Sequence, residues 1–193
     1  MIILEVGCAS GQAHIIFMKV SLLGAGDVSK ISRHTSMSEP ELNTLIEDIA
    51  GLLVEKQVDI VIIPNRGIPL EIAKKYKEKS GKKILGVIPT QDKDYGLAHI
   101  EEFLPIVDEK LDVDSWYDAD GKVAAFGDIC LTIGMSPGVI RALTALKFHY
   151  KYKNSQTKLI IFRNTLSKEL HKEIEEEIPT TYIESINELK ELI

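Results

Sequence analysis

Short apolar runs alternate with amphipathic stretches along most of this chain. The runs are rich in Val, Ile and Leu, and the stretches between them repeat apolar residues with the period of a helix. This order favours repeated strand and helix units, which form a parallel sheet covered by helices on both faces. The predicted strands are residues 20–23, 59–63, 83–88, 129–133, 158–162 and 180–183.

The stretches between the predicted strands carry recognisable helix ends. Ser38 precedes Glu39-Pro40-Glu41, which combines a capping box with proline in the first turn of a helix. Ser185 is followed by Glu188 three residues later, which is a second capping-box pattern. We therefore predict helices at about 39–53, 70–80, 136–149 and 166–177, and a last helix that begins at Ser185.

The segment from residue 89 to residue 123 departs from this alternation. It is predicted to be a long connection, of the kind that often forms a lid or a subunit contact. The sequence has no internal repeat, low-complexity tract or linker, so one domain is expected over residues 1–193, with its core at about 18–193. Met18 reads like the natural start of such a domain, so residues 1–17 are either an extra N-terminal strand or a result of start-site choice.

The composition matches that of ordinary globular proteins, with 45% hydrophobic and 27% charged residues. The formal net charge of -6 argues against a nucleic-acid partner, because proteins that bind duplexes need a positive surface. Cys8 and Cys130 are too few for a disulfide framework and lack metal-ligand spacing, so a reducing cytoplasm and no bound metal are expected. No apolar run approaches the roughly 20 residues that span a bilayer.

Ligands of open α/β sheets bind outside the carboxyl ends of the strands, so the turns after the strands are the candidate site. The turn after the first strand reads Gly24-Ala25-Gly26-Asp27. Its glycines let backbone amides approach an anion. Ser29 replaces the third glycine of a dinucleotide-binding motif, and the first predicted helix begins only after Ser38, so a nicotinamide-dependent dehydrogenase is disfavoured. The alternative is a glycine turn that holds no ligand.

Two further turns carry donors for an anion. After the second strand, Asn65-Arg66-Gly67 leads into a helix, whose N-terminus attracts phosphate and to which Arg66 adds a fork-shaped donor. Arg66 as a solvated surface charge is the alternative. After the fourth strand the chain reads Gly134-Met135-Ser136-Pro137-Gly138. Gly134, Ser136 and Gly138 surround the start of a helix, with Ser136 as the predicted N-cap and Pro137 as the first helical residue, and this arrangement is predicted to form a nest for an anion.

Together these segments resemble a Rossmann-like superfamily that includes the Lonely Guy phosphoribohydrolases, often labelled lysine decarboxylases, the DNA-processing protein DprA and the molybdenum cofactor carrier proteins. The resemblance extends from Met18 to about Phe162. Its best matches are the turn at Gly24, residues 67–73 followed by Gly81-Lys82-Lys83-Ile84-Leu85-Gly86-Val87-Ile88-Pro89, and the turn at residues 134–138. It implies an α/β Rossmann-like three-layer sandwich with a mainly parallel central sheet.

The sequence departs from the catalytic motif of the Lonely Guy enzymes, P-G-G-x-G-T-x-x-E. The glycines and threonine of that motif hold the ligand phosphate, and its glutamate takes part in cleaving the N-glycosidic bond. Here Val139 stands where the threonine hydroxyl would be, and Arg141 lies where the carboxylate would fall. An arginine has the wrong sign to stabilise a cationic sugar, so the phosphate cradle is expected to be retained and the hydrolase activity is not.

The leading hypothesis is therefore a carrier or sensor that binds a nucleotide or related phosphorylated cofactor and requires no other cofactor. The alternatives are a nucleoside-monophosphate phosphoribohydrolase with a relocated acid, and an assembly module that pairs through the helix near residues 137–150. A homo-oligomer, dimer or higher, is expected. Other candidate acids and bases are loop residues, which are more often only solvated or structural: Asp27, Asp92, Asp94, Glu101, Glu102, His34 and His99.

Overall fold

The computed structural model describes residues 18–91, 98–153 and 156–193. The predicted extra strand in residues 1–17 and the candidate acids Asp92 and Asp94 lie outside these ranges, as does the side chain of His99. Within the described ranges, every helix is too short or too polar to cross a bilayer.

A seven-stranded sheet forms the centre of the molecule, and each neighbouring pair of strands in it is parallel. The strand order is β4-β3-β2-β1-β5-β6-β7. The strands are β1 (Lys19–Gly24), β2 (Asp59–Ile62), β3 (Ile84–Pro89), β4 (Glu109–Val113), β5 (Ile129–Ile133), β6 (Lys158–Phe162) and β7 (Thr180–Ile183). The six predicted strands and the parallel sheet are therefore confirmed.

Helices connect these strands. They are α1 (Val28–Ser32), α2 (Glu39–Glu55), α3 (Ile68–Glu78), α4 (Ala98–Glu101), α5 (Trp116–Phe126), α6 (Pro137–Lys153), α7 (Lys172–Glu175) and α8 (Ile186–Leu192), with short 3₁₀ turns at Leu104–Ile106 and Arg163–Thr165. Ser38 closes the predicted capping box with Glu41 at the start of α2, and Ser185 caps α8 by accepting the Glu188 amide hydrogen.

Two apolar layers cover the sheet. Side chains on one face of the strands, such as Leu22 and Ile60, pack against α2, α3 and α8, and those on the other face, such as Val61 and Ile161, pack against α5 and α6. The predicted three-layer α/β fold is confirmed. Cys130 is fully buried in the second layer, and burial raises the pKa of its thiol to about 12, so this thiol packs as a small hydrophobe.

The predicted long connection at residues 89–123 is wrong, because this segment contains β4 and α5. β4 is the edge strand of the sheet, and its residues Glu109, Lys110 and Asp112 are exposed. An edge strand covered on one face has charges between its apolar residues and therefore lacks the continuous apolar run of the central strands.

The predicted helix at residues 166–177 is also largely wrong, since only Lys172–Glu175 is α-helical. The backbone before α7 finds partners outside a helix: the Leu170 amide donates to the Tyr182 hydroxyl at 2.9 Å. The other helices are confirmed with shifted ends, with α3 beginning at Ile68 and α6 extending to Lys153.

Candidate functional site

The sheet changes its winding direction between β1 and β5, because β1 lies between β2 on one side and β5 on the other. Such a switch point leaves a crevice at the carboxyl ends of the strands. The turns after β1, β2 and β5 meet there: the Ala25 amide donates to the Ile133 carbonyl at 3.0 Å, and the Ile68 amide donates to the Ala25 carbonyl at 3.0 Å. The structure therefore brings the three predicted turns together.

Glycines permit this close approach at two positions. Gly67 has a φ of +140°, and a Cβ atom there would lie 2.9 Å from the Ala25 carbonyl oxygen. Gly134 has a φ of +74°, and its Cβ would lie 2.6 Å from Cδ1 of Ile31. Other residues rarely adopt such backbone angles, and here they would also collide with the neighbouring turn.

The turn after β1 opens directly into α1, which corrects the prediction that no helix begins before Ser38. Helix α1 has five residues and buries only Ile31, so it has too little periodicity to be recognised. Because a helix does follow this turn, one of the two sequence arguments against a dinucleotide site is removed. The other remains, since Ser29 replaces the third glycine of the motif.

Asp27 caps α1 with its own side chain. Its carboxylate accepts from the Ser29 hydroxyl at 2.7 Å and from the Lys30 amide at 2.8 Å, and these hydrogen bonds lower the pKa of Asp27. The carboxylate thus occupies the end of α1 at which an anion would bind. Gly24 is paired with Ile133 of β5, and both the amide and the carbonyl of Ala25 are bonded to the neighbouring turns, so Gly26 is the residue whose backbone this turn leaves for a ligand.

The turn after β2 has few free amides. The Arg66 amide donates to the Asn65 side chain at 2.7 Å, and the Ile68 amide donates to the Ala25 carbonyl. Pro69 has no amide hydrogen, and the Glu71 amide donates to the Gly67 carbonyl at 3.2 Å. The side-chain donor that this turn offers to a ligand is the Arg66 guanidinium, which lines the cavity together with Gly67. Its side chain is 72% exposed and lies 3.1 Å from the carboxylate of Glu102.

The turn after β5 offers a helix N-terminus. The Ser136 hydroxyl accepts from the Val139 amide at 3.2 Å, which confirms Ser136 as a cap, and the Ile140 amide donates to the Ser136 carbonyl. Pro137 has no amide hydrogen, so Gly138 carries the first-turn amide of α6 that has no acceptor among the described residues. α6 has 17 residues, and its dipole adds positive potential at this point.

A cavity of about 530 Å³ lies beside the switch point, between the turns after β1 and β2. This volume is typical of a small-molecule site. Its lining consists of Gly26, Asp27, Val28, Asn43, Ile46, Arg66, Gly67, Ile68, Leu70, Glu71, Lys74, Glu102 and Phe103. Four of the predicted site residues therefore line this cavity, whereas the turn at residues 134–138 lies outside its lining.

Asp120 is a buried acid that sequence reasoning missed. It belongs to α5, its side chain is 9% exposed, and it accepts from Nε of Arg141 on α6. Burial raises the pKa of Asp120 above its ordinary value, while the Arg141 guanidinium opposes this shift. Arg141 also lies over the Tyr117 ring, 4.8 Å from its centroid. The sequence does not predict this pair, because the pattern of residues 89–123 is that of a long connection and gives no helix on which to place Asp120.

His34, Glu101 and Val139 are not among the residues that line the cavity. His34 and Glu101 are exposed, and Val139 is buried in the layer formed by α5 and α6. Within the part of the chain that the structure describes, no group of His, Cys, Asp and Glu side chains is arranged to hold a metal ion.

The fold defines a three-layer Rossmann-like α/β protein with a crevice at the switch point of its sheet. No protein-family model matches the sequence, and no curated protein matches it at a significant level. Solved structures do match. The molybdenum cofactor carrier protein of Chlamydomonas reinhardtii superposes with a TM-score of 0.61 and 15% identity over 92% of this chain and 98% of that chain.

Two further structures show the same architecture. The molybdenum cofactor binding protein of the phototrophic bacterium Rippkaea orientalis has a TM-score of 0.61 and 11% identity over 93% of this chain and 96% of that chain. DNA processing protein A of Helicobacter pylori has a TM-score of 0.56 and 14% identity over 91% of this chain and 79% of that chain. The chain therefore has the fold of the superfamily that its sequence resembles.

Proposed function

We propose that this chain binds a small phosphorylated ligand, a nucleotide or a related cofactor, at the carboxyl ends of its strands and serves as a carrier or sensor. The observation that carries the proposal is the meeting of three turns from separate strands at the switch point, beside a cavity of ligand size. Parallel sheets place their ligand sites at this position.

Two groups support a phosphorylated ligand. The Gly138 amide at the start of α6 and the guanidinium of Arg66 both favour negative charge. Two structural neighbours are named as carriers or binders of the molybdenum cofactor, which supports a carrier role for the same fold.

The first test measures thermal stability against a panel of nucleoside monophosphates and pterin phosphates, with the unphosphorylated compounds as matched controls. A ligand at a hundred times its dissociation constant stabilises the native state by about 2.7 kcal/mol, which raises Tm by about 5–10 °C for a chain of this size. The unphosphorylated controls should give much smaller shifts. A flat response across the panel contradicts the proposal.

A pair of variants tests the anion position. A Cβ at Gly138 would have only the Ser136 hydroxyl nearby, at 3.9 Å, so a side chain fits there. Gly138→Asp should weaken phosphate binding about tenfold through charge repulsion, whereas Gly138→Asn, of the same size, should change it less than about threefold. Equal effects of the two substitutions would point to a steric cause and would argue against an anion at α6.

The alternative is a phosphoribohydrolase with a relocated acid, for which the candidate is Asp120, a buried carboxylate on α5 that pairs with Arg141. Arg141 neutralises this carboxylate, so the binding role is favoured over the catalytic one. Incubation with nucleoside monophosphates and detection of free base tests the alternative, and the binding proposal expects none to form.

We also infer that the chain forms a homo-oligomer through α6. The exposed large hydrophobic side chains among the described residues all belong to α5 and α6: Tyr117, Ile140, Phe148 and Tyr152. A cluster of this kind on one face is typical of an interaction surface. Ile140, Thr144, Phe148 and Tyr152 follow one another at four-residue intervals, so they form one stripe along the helix.

A further inference from the structure

Arg141, in the second turn of α6, is held from two sides. Its Nε donates to the carboxylate of Asp120 on α5, and its guanidinium lies over the Tyr117 ring, 4.8 Å from the ring centroid. The Asp120 side chain is 9% exposed, whereas that of Arg141 is 38% exposed. A buried carboxylate and an aromatic face therefore fix the orientation of an arginine whose side chain still reaches solvent.

The end of this guanidinium keeps its donors. A guanidinium donates from Nε and from both Nη atoms, and the contact with Asp120 uses Nε. Among the described residues, none accepts a hydrogen bond from Nη1 or Nη2 of Arg141. The two Nη atoms form the fork that binds a pair of oxygens of a carboxylate, sulfate or phosphate group.

Arg163 shows the opposite arrangement on the same fold. It also lies over a tyrosine ring, that of Tyr182 at 5.3 Å, but it pairs with two carboxylates, Glu169 at 2.6 Å and Glu184 at 2.9 Å. Two carboxylates outweigh the charge of one guanidinium, so the Arg163 cluster repels an anion. The pair of Arg141 with a single carboxylate has no net charge and keeps its fork, so an oxyanion can bind there.

The position of Arg141 favours an oxyanion as the acceptor. α5 and α6 each follow the carboxyl end of a strand, so Asp120 and Arg141 lie at the edge of the sheet where the three turns meet. Arg141 is less than one helical turn after Gly138, whose amide has no acceptor among the described residues. The sequence of α6 contains no Asp or Glu. The backbone and the side chains of α6 therefore both favour negative charge at this edge.

We propose that Arg141 binds an oxyanion at the start of α6, with Asp120 and Tyr117 as the positioning residues that hold its guanidinium. The inference rests on the proposed function, because this oxyanion is the phosphate group proposed there, and it assigns to that group a side chain outside the lining of the cavity. Asp120 also has an electrostatic effect. Its negative charge next to the site lowers the affinity for an anion, so the same carboxylate orients the arginine and limits how tightly the ligand is held.

Sulfate is the probe for this site, because it is a tetrahedral oxyanion that stays fully ionised near neutral pH. NMR titration at constant ionic strength, with chloride as the balancing ion, follows the Nε–H signal of Arg141 and the Gly138 amide. Asp120→Asn removes the charge and keeps an acceptor for Nε, so sulfate should bind about three- to tenfold more tightly than to the wild type. Asp120→Ala removes the acceptor as well, so sulfate should bind at least about threefold more weakly than to Asp120→Asn. A purely structural role of Asp120 predicts no gain in either variant.

Further variants test the arginine and its aromatic support. Arg141→Met combined with Asp120→Asn leaves no unpaired buried charge, and it should bind sulfate at least about fivefold more weakly than Asp120→Asn alone. Tyr117→Phe keeps the aromatic face and should bind like the wild type, whereas Tyr117→Leu should bind about two- to threefold more weakly. Two matched controls, Arg163→Met and Asp112→Asn at an exposed acid of β4, should leave the sulfate dissociation constant unchanged.

The outcomes separate this inference from the proposed function. Binding of adenosine monophosphate or sulfate that is equally tight with and without Arg141→Met in the Asp120→Asn protein overturns the inference and leaves the proposed function intact. A gain in Asp120→Asn no larger than that in Asp112→Asn also overturns it. Failure of sulfate and of every phosphorylated compound in the panel to bind the wild type overturns both.

Discussion

Gly134 and Gly138 lie four residues apart in the turn after β5, yet their backbones have different requirements. Gly134 has a positive φ and lies against Ile31 of α1, whereas Gly138 lies in the first turn of α6 with open space around it. Glycine is therefore required at position 134 and replaceable at position 138.

Replacing each glycine by alanine tests this difference. Gly134→Ala should lower the free energy of unfolding by about 2–4 kcal/mol, from the left-handed backbone and from overpacking against Ile31. Gly138→Ala should be neutral or stabilising by up to about 1 kcal/mol, because alanine is the better helix former. Urea denaturation of both variants measures the two changes, and similar losses in both would show that the close approach at Gly134 does not govern stability.

Single residues also show which contacts can be predicted from the sequence. Ser38, Ser136 and Ser185 were found because a cap acts over three residues of its own helix. The ion pair of Arg66 with Glu102 is not predictable from the sequence, because the two residues are 36 positions apart and meet only in the folded chain. Local hydrogen bonding is thus predictable from sequence, whereas contacts between turns need the fold.

At the scale of elements, the helices α5 and α6 form one layer. Asp120 pairs with Arg141, and the position of a Cβ on Gly121 lies 3.2 Å from Cβ of Ala145, so the two helices pack closely side by side. The central strands were predicted correctly because they are continuous apolar runs, but β4 and α5 were missed because β4 is a charged edge strand. Because β4 is not recognised as a strand, the segment that contains α5 has no predicted strand before it, and the sequence pattern predicts a loop there.

The pH dependence of stability reports on this layer. Burial holds the pKa of Asp120 above its ordinary 3.8 in the folded chain, with Arg141 opposing. The native state therefore binds this proton more tightly than the unfolded chain does. The resulting contribution to the free energy of unfolding is fully present below pH 3.8, the ordinary pKa of the carboxyl group. It is lost as the pH rises through the pKa that Asp120 has in the folded chain.

Asp120→Asn removes this titration. The wild type should lose stability relative to the Asn variant as the pH rises from about 3.5 through the folded pKa, while the cost of leaving Arg141 unpaired should be a constant offset. Chemical denaturation of both proteins at several pH values measures the difference. A wild type that gains relative stability over the same range would mean that Arg141 outweighs burial.

At the scale of the whole molecule, the stripe on α6 is self-complementary. In the proposed dimer, two antiparallel copies of α6 would pair Ile140 with Tyr152 of the second copy, and Thr144 with Phe148 of the second copy, so that a smaller side chain would face a larger one. Phe148 and Tyr152 also stack on each other, with 6.2 Å between ring centroids. A two-fold interface pairs one surface patch with itself in this way.

Light scattering over a range of concentrations tests the proposed oligomer. The wild type should form an assembly, and Phe148→Glu should shift it toward the 21.5 kDa monomer, because a charge in the centre of an apolar contact costs about 2 kcal/mol or more. Thr44→Glu, at an exposed position on α2 and therefore on the opposite face of the sheet from α6, should leave the mass unchanged. A wild type that is monomeric at every concentration would contradict the proposal.

The central place of β1 has a consequence for synthesis on the ribosome. One edge of β1 pairs with β2 soon after that strand is made, but its other edge awaits β5, which begins more than a hundred residues after Gly24. At about 5–20 residues per second, this edge stays open for on the order of ten seconds. A nascent chain therefore exposes the unpaired amides and carbonyls of this edge until residues 129–133 leave the exit tunnel, and over that interval the edge is open to pairing with other chains.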